Sequence, residues 1–117
     1  MTTREATEPE TPTVFLENEA NLKEASRVLG LLSHPTRLKI VCQLSEADEL
    51  SVRELWKNTE LSQSALSQHL AKLREAGLVT TRRQQQSILY RIARSDVAKL
   101  LQTLHELYCP RKMRKSQ

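Results

Sequence analysis

The spacing of apolar residues changes several times along this chain, and each change predicts an element. Residues 1–13 are mostly Thr, Glu and Pro and have little to bury, so they predict a disordered tail. From Asn18 to about Leu32, Leu22, Ala25, Val28, Leu29 and Leu32 recur at three- and four-residue steps, as in an amphipathic helix. Ser33-His34-Pro35 marks a new start, because proline suits a first helical position where its missing N–H is no loss. That second helix runs through Leu38, Val41, Cys42 and Leu44 and ends in the acidic loop Glu46 to Glu49. Ser51-Val52-Arg53-Glu54 has the form of a capping box opening a short helix, with Leu55 and Trp56 on its inner face.

Asn58-Thr59-Glu60 is a tight connection. Ser62 caps the next helix, which runs to Ala76, and Gly77 supplies a left-handed stop. Leu78 to Arg83 and Ser87 to Ile92 then read as two strands joined at Gln84 to Gln86. Ser95-Asp96 opens a last helix whose stripe is Val97, Leu100, Leu101, Leu104, Leu107 and Tyr108, ended by Pro110. The order is ααααββα: a mainly α chain with a β-hairpin wing. The domain is placed at residues 14–109, between the tail 1–13 and a basic segment 110–117.

Within the helix at 62–76, Leu66, Leu70 and Leu73 share one narrow arc and anchor it to the body. Ser64, Gln68 and Ala71 lie away from that arc, with Ser67 and Lys72 on its flanks, and Gln63 at the helix start is a further DNA-contact candidate. A short, polar, uncharged face of this kind can approach base edges closely: Gln pairs with adenine N6/N7, and Ser bonds either base type. The preceding short helix, the turn and this helix have helix-turn-helix spacing. Arg82, Arg83 and Gln84 on the hairpin suit phosphate or minor-groove contact. His69, at the edge of the apolar arc, reads as a half-buried structural residue.

Charge sharpens this picture. Leu61 to Arg94 holds six basic residues against the single acid Glu75, a net +5, whereas Val14 to Glu60 holds six basic and eight acidic residues, a net −2. The overall +4 is less telling, because four positive charges lie in the last seven residues. A basic segment centred on a groove-sized helix points to double-stranded DNA, whose phosphates supply the sequence-independent part of affinity. With 117 residues and 3% aromatics, the chain suits one domain with an aliphatic core. No apolar run approaches the ~20 residues of a membrane span, and the polar N-terminus has no apolar signal core, so the reading is cytoplasmic with no membrane. There is no phosphate-binding Gly loop, no Ser/His/Asp set and no paired acids, so neither an enzyme nor a cofactor is expected. The two cysteines, Cys42 and Cys109, form no CxxC pair. On their own they read as a small core hydrophobe and an incidental thiol.

The segments LLSHPTRLKIVCQL, LSQSALSQHLAKLREAGLV and RRQQQSILYRI together resemble the ArsR family of winged-helix repressors, over roughly residues 18–109. The resemblance implies a winged helix-turn-helix homodimer joined through the first and last helices, binding an inverted repeat as a transcriptional repressor. The apolar stripes of those two helices agree with it. Many members sense metals through a Cys-x-Cys pair on the third helix, but here Val52 to Lys57 has no cysteine. A site on the last helix would have only Asp96 and His105, nine residues apart and roughly half a turn out of phase. No metal site is therefore expected, although metal sensing stays an alternative. Cys42 and Cys109, with the ending LYCP, resemble the persulfide-responsive BigR, SqrR and YgaV-like subgroup, to which HlyU regulators are related. That resemblance implies an intrasubunit disulfide or polysulfide that releases DNA, with a persulfide or polysulfide as inducer. Antisilencing of the HlyU type, without thiol control, is the other reading within regulation. A protein-interaction platform is the reading from another class.

Overall fold

The computed structural model describes residues 18–108. The expectations for the tail 1–13, for Cys109 and for the segment 110–117 lie outside the described residues. One compact unit ends at His34 and another begins at Pro35. The first holds helix α1 (Glu19–Leu32). Asn18 caps it by accepting the Asn21 N–H at 3.1 Å. At its other end the Ser33 hydroxyl donates to the Gly30 carbonyl at 2.8 Å. Glu24 and Arg27, one turn apart on its surface, form an ion pair at 2.8 Å.

The second unit runs α2 (Pro35–Ala47), β1 (Leu50–Ser51), α3 (Val52–Lys57), α4 (Gln63–Glu75), β2 (Val79–Gln84), β3 (Ser87–Ile92) and α5 (Ser95–Tyr108). Pro35 takes the first helical position as expected. Helix α2 continues to Ala47, inside the stretch read as an acidic loop, and Asp48 then turns the chain at φ 72°. Asp is one of the few residues with a side chain that tolerates this conformation. Strand β1 is an addition to the expected order, since two residues are too short to carry a strand period. It pairs antiparallel with β3, giving a sheet of order β1-β3-β2. The hairpin tip is tighter than expected: Gln84 pairs with Ser87, leaving Gln85 and Gln86 as the turn.

The core of this unit is aliphatic. Ile40, Val41 and Leu44 of α2, Leu55 of α3, and Leu66, Leu70 and Leu73 of α4 are all buried. So are Leu78, Val79, and Val97 and Leu101 of α5. Each such side chain contributes about 1.5–3 kcal/mol by leaving water. Trp56 differs from the expectation for the inner face, because it is 39% exposed while its neighbour Leu55 is 1% exposed. Adjacent helical residues sit about 100° apart, so only one of the two can point straight inward. The indole lies instead against the following turn, and its N–H donates to the Leu61 carbonyl at 2.9 Å.

Candidate nucleic-acid interface and thiol cleft

The short helix α3 is fixed at both ends. Ser51 accepts the Glu54 N–H at 3.1 Å and the Glu54 carboxylate accepts the Ser51 N–H at 2.8 Å, completing the capping box. Past its end, the Asn58 amide donates to the Glu54 carbonyl and the Leu61 N–H donates to the Thr59 hydroxyl. With the Trp56–Leu61 bond, these set the angle at which the chain enters α4. Ser62 caps α4 by accepting the Ala65 N–H at 3.1 Å. At the far end, the Gly77 N–H bonds the Arg74 carbonyl and the Leu78 N–H bonds the Leu73 carbonyl, with Gly77 at φ 81°. These are the paired bonds of a Schellman stop, and both Leu73 and Leu78 are buried beside them.

Helix α4 is thus held by its caps and its leucines, and its other face is open. Gln63, Ser64, Ser67, Gln68 and Lys72 are all exposed, and His69 is half-buried, as its place at the edge of the arc predicts. The positive end of the helix dipole lies at Gln63, and Lys72 and Arg74 complement the negative end. The wing residues Arg82, Arg83 and Gln84 are exposed as well. Arg82, however, is already engaged. Its Nε and Nη2 donate to the two Glu49 carboxylate oxygens at 2.6 and 3.0 Å. That hydrogen bond from Arg82 holds the Glu49 carboxyl below the usual carboxylate range, and the charges of Arg82 and Arg91 add to it. In sequence Glu49 reads only as loop. Its partner lies 33 residues away, and no periodicity links the two.

Cys42, on α2, is partly buried. It lines a cleft of ≈ 300 Å³ between α2 and α5, together with Ser45, Glu46, Leu101, Gln102 and His105. Across that cleft His105 Nδ1 lies 3.4 Å from a Glu46 carboxylate oxygen. Asp96, the other candidate ligand on the last helix, pairs with Arg94 at 2.7 and 3.1 Å. Arg94's hydrogen bond is the main cause holding the Asp96 carboxyl below its usual range. Among the described residues no three His, Cys, Asp or Glu side chains group as a metal site. Nor is any described helix long and apolar enough to cross a membrane. At the outer end of α5, Leu107 and Tyr108 are 70% and 78% exposed, and Leu29 of α1 is 54% exposed.

Residues 34–81 match the family of bacterial regulatory proteins named arsR. The transcriptional activator HlyU of Vibrio cholerae is 45% identical over 84% of this chain and 90% of its own. Its solved structure superposes with a TM-score of 0.76, covering 80% of this chain and all of that one. A structure of its reduced form is similar, with a TM-score of 0.74, covering 79% of this chain and 96% of that one at 46% identity. The biofilm growth-associated repressor of Xylella fastidiosa is 41% identical over 91% of this chain and 90% of its own. The crystal structure of the repressor BigR from the same organism has a TM-score of 0.71 at 41% identity, covering 79% of this chain and 93% of that one. The homodimeric winged helix-turn-helix domain Mb0332 of Mycobacterium bovis has a TM-score of 0.67 at 32% identity, covering 75% and 81%. Helix-turn-helix, wing and relatives agree: the chain belongs to the ArsR family of winged helix-turn-helix DNA-binding transcriptional regulators.

Proposed function

We propose that this regulator is a homodimeric repressor that binds an inverted-repeat operator and leaves it when Cys42 and Cys109 are bridged by sulfur. The DNA half of this reading rests on the exposed, uncharged N-terminal face of α4. Gln63, Ser64, Ser67 and Gln68 would meet base edges, with Lys72 and the wing on phosphate. The dimer half is supported by the exposed Leu107, Tyr108 and Leu29 on the last and first helices, and by the homodimeric M. bovis relative. A two-fold dimer implies half-sites about one helical turn apart, ~34 Å.

The observation that carries the thiol switch is the cleft between α2 and α5. Cys42 lines it from α2, and Tyr108, which directly precedes Cys109, ends α5. A volume of ≈ 300 Å³ is at the lower end of small-molecule sites, ~300–1,000 Å³. A low-molecular-weight persulfide of the class RSSH is the proposed inducer. A cysteine thiolate attacks its outer sulfur, forming Cys–S–SH and releasing RS⁻. The second thiolate then attacks the inner sulfur, closing a disulfide and expelling HS⁻. If both cysteines carry an added sulfur, attack of one persulfide anion on the inner sulfur of the other leaves a trisulfide and HS⁻. A direct disulfide requires Cα atoms within about 7 Å, and the longer bridge relaxes that limit. Either bridge would tie α2 to the end of α5, so a shift in the dimer interface could move the two recognition helices off their spacing.

Mass spectrometry after separate exposure to a persulfide donor, peroxide and a disulfide tests this, with DNA binding followed in parallel. Persulfide should add an intramolecular bridge and release DNA. Bridging without release, or release by zinc instead, would overturn the switch. The activator HlyU among the relatives favours a second reading, activation by displacing another DNA-bound protein. A reporter assay with and without the regulator separates the two outputs by sign.

A further inference from the structure

The two adjacent wing arginines do different work. Successive residues of a strand point to opposite faces. In β2, Arg82 lies opposite Leu89 and Arg83 opposite Ile88, so their side chains leave the sheet on different sides. Leu89 is in turn opposite Ser51 of β1, and Glu49 comes two residues before Ser51. The wing's first strand is therefore joined to the α2–β1 connection by the bidentate Arg82–Glu49 pair. Arg82 Nη2 also reaches the Gln84 side-chain oxygen at 3.5 Å, on the same side of the strand. Arg83 is exposed and makes no ion pair with another described residue.

We infer that Arg82 is a positioning residue that sets the wing through Glu49, and that phosphate contact falls to Arg83. This rests on the DNA-binding reading above. An arginine whose fork is filled by a carboxylate must break that pair to reach phosphate. It would then leave the Glu49 charge without its bidentate partner beside the DNA backbone, with the charge of Arg91 as a partial offset among the described residues. As a pair, Arg82 and Glu49 bring almost no net charge to the interface, whereas Arg83 brings a full one.

The test is the salt dependence of binding to a random-sequence duplex of about 30 base pairs, with folding of each variant checked by circular dichroism. Arg83→Ala should lower the slope of log K against log salt by about 0.9, the value for one lost phosphate contact. Glu49→Gln combined with Arg82→Ala should leave that slope unchanged and weaken binding roughly two- to fivefold at every salt concentration, as expected for loss of an exposed ion pair. The charge swap Glu49→Arg with Arg82→Glu should restore the affinity, since it rebuilds the pair in reverse. A slope reduced by about 0.9 in the double variant, or a swap that binds worse than the double variant, would show that Arg82 itself touches phosphate and overturn the inference. Salt-independent or undetectable binding by the wild type would overturn the DNA-binding reading itself, and this inference with it.

Discussion

Cys42 on α2 and His105 on α5 line the same cleft, and the Glu46–His105 contact at 3.4 Å spans it. In sequence they are 63 residues apart, and nothing in the local pattern of either helix relates them. Their meeting places a partly buried thiol beside the helix that leads to Cys109. Cys42 is only partly buried, and the neighbouring polar groups Ser45, Gln102 and Glu46 distinguish the site from a purely apolar core position.

Cys42→Ser and Cys109→Ser should each bind operator as the reduced wild type does. Cys42 is on α2 and belongs neither to α4 nor to the hairpin, and serine is close to cysteine in size. Each variant should lose the response to persulfide, because a bridge needs both sulfurs. The treated wild type should lose two hydrogens for a disulfide, or gain whole sulfur atoms less two hydrogens for a longer bridge, within one chain. A serine variant that leaves DNA as readily as wild type under persulfide would refute the dithiol switch.

Gln68→Ala and Ser64→Ala should narrow the preference for operator over random DNA while leaving salt dependence intact. Both side chains are exposed on the face of α4 opposite Leu66, Leu70 and Leu73, so their loss disturbs no packing. A good bidentate contact from Gln is worth about 1–3 kcal/mol of discrimination, or roughly 5- to 150-fold at that base pair. Competition binding with operator and random duplexes reads this directly. Unchanged specificity for Gln68→Ala would mean that another face of the helix enters the groove.

Much of this architecture was legible because it is local. The caps at Ser51 and Ser62, the stop at Gly77 and the leucine arc of α4 are each set by residues within one or two turns, and the structure has them all. What escaped the sequence is long-range or shared between neighbours. Strand β1 exists only because Leu50 and Ser51 meet Tyr90 and Leu89 across the sheet. Trp56 looks like core by composition, yet Leu55 takes the inward direction and the indole serves the turn through Leu61. Arg82 and Arg83 read as one basic pair, and only the register of β2 separates them.

Gly77→Ala should destabilise the fold by about 1–2 kcal/mol, the cost of a left-handed backbone for a residue with a side chain. A Cβ added at Gly77 would meet nothing within 4 Å, so the φ of 81° is the whole cause and no steric clash adds to it. Denaturant melts should show a lower midpoint with an unchanged slope. Gly30, inside α1 and equally open, makes the control. Gly30→Ala should stabilise the helix by roughly 0.5–1 kcal/mol, because there the extra freedom of glycine is a cost.

Stability should fall in acid, in part through Glu49 and Asp96. Hydrogen bonds from Arg82 and Arg94 lower their folded-state carboxyl pKa values beneath the ordinary 4.5 and 3.8. The unfolded chain therefore takes up protons first as pH drops, and protonation pulls the equilibrium toward it. The contribution of each pair is complete above the ordinary value and is lost as pH falls through the lowered folded one. Both pairs are at the surface, with Glu49 side-chain exposure at 26% and Asp96 at 66%, so the effect is small and should weaken with added salt. Glu49→Gln should lower the melting temperature slightly near neutral pH. The gap to wild type should close as pH falls below the ordinary carboxylate range, because a protonated Glu49 is as uncharged as the amide that replaces it. Melting curves at stepped pH and two ionic strengths measure it. A gap that stays constant into acid would mean that the carboxylate charge at Glu49 does not hold the wing strand.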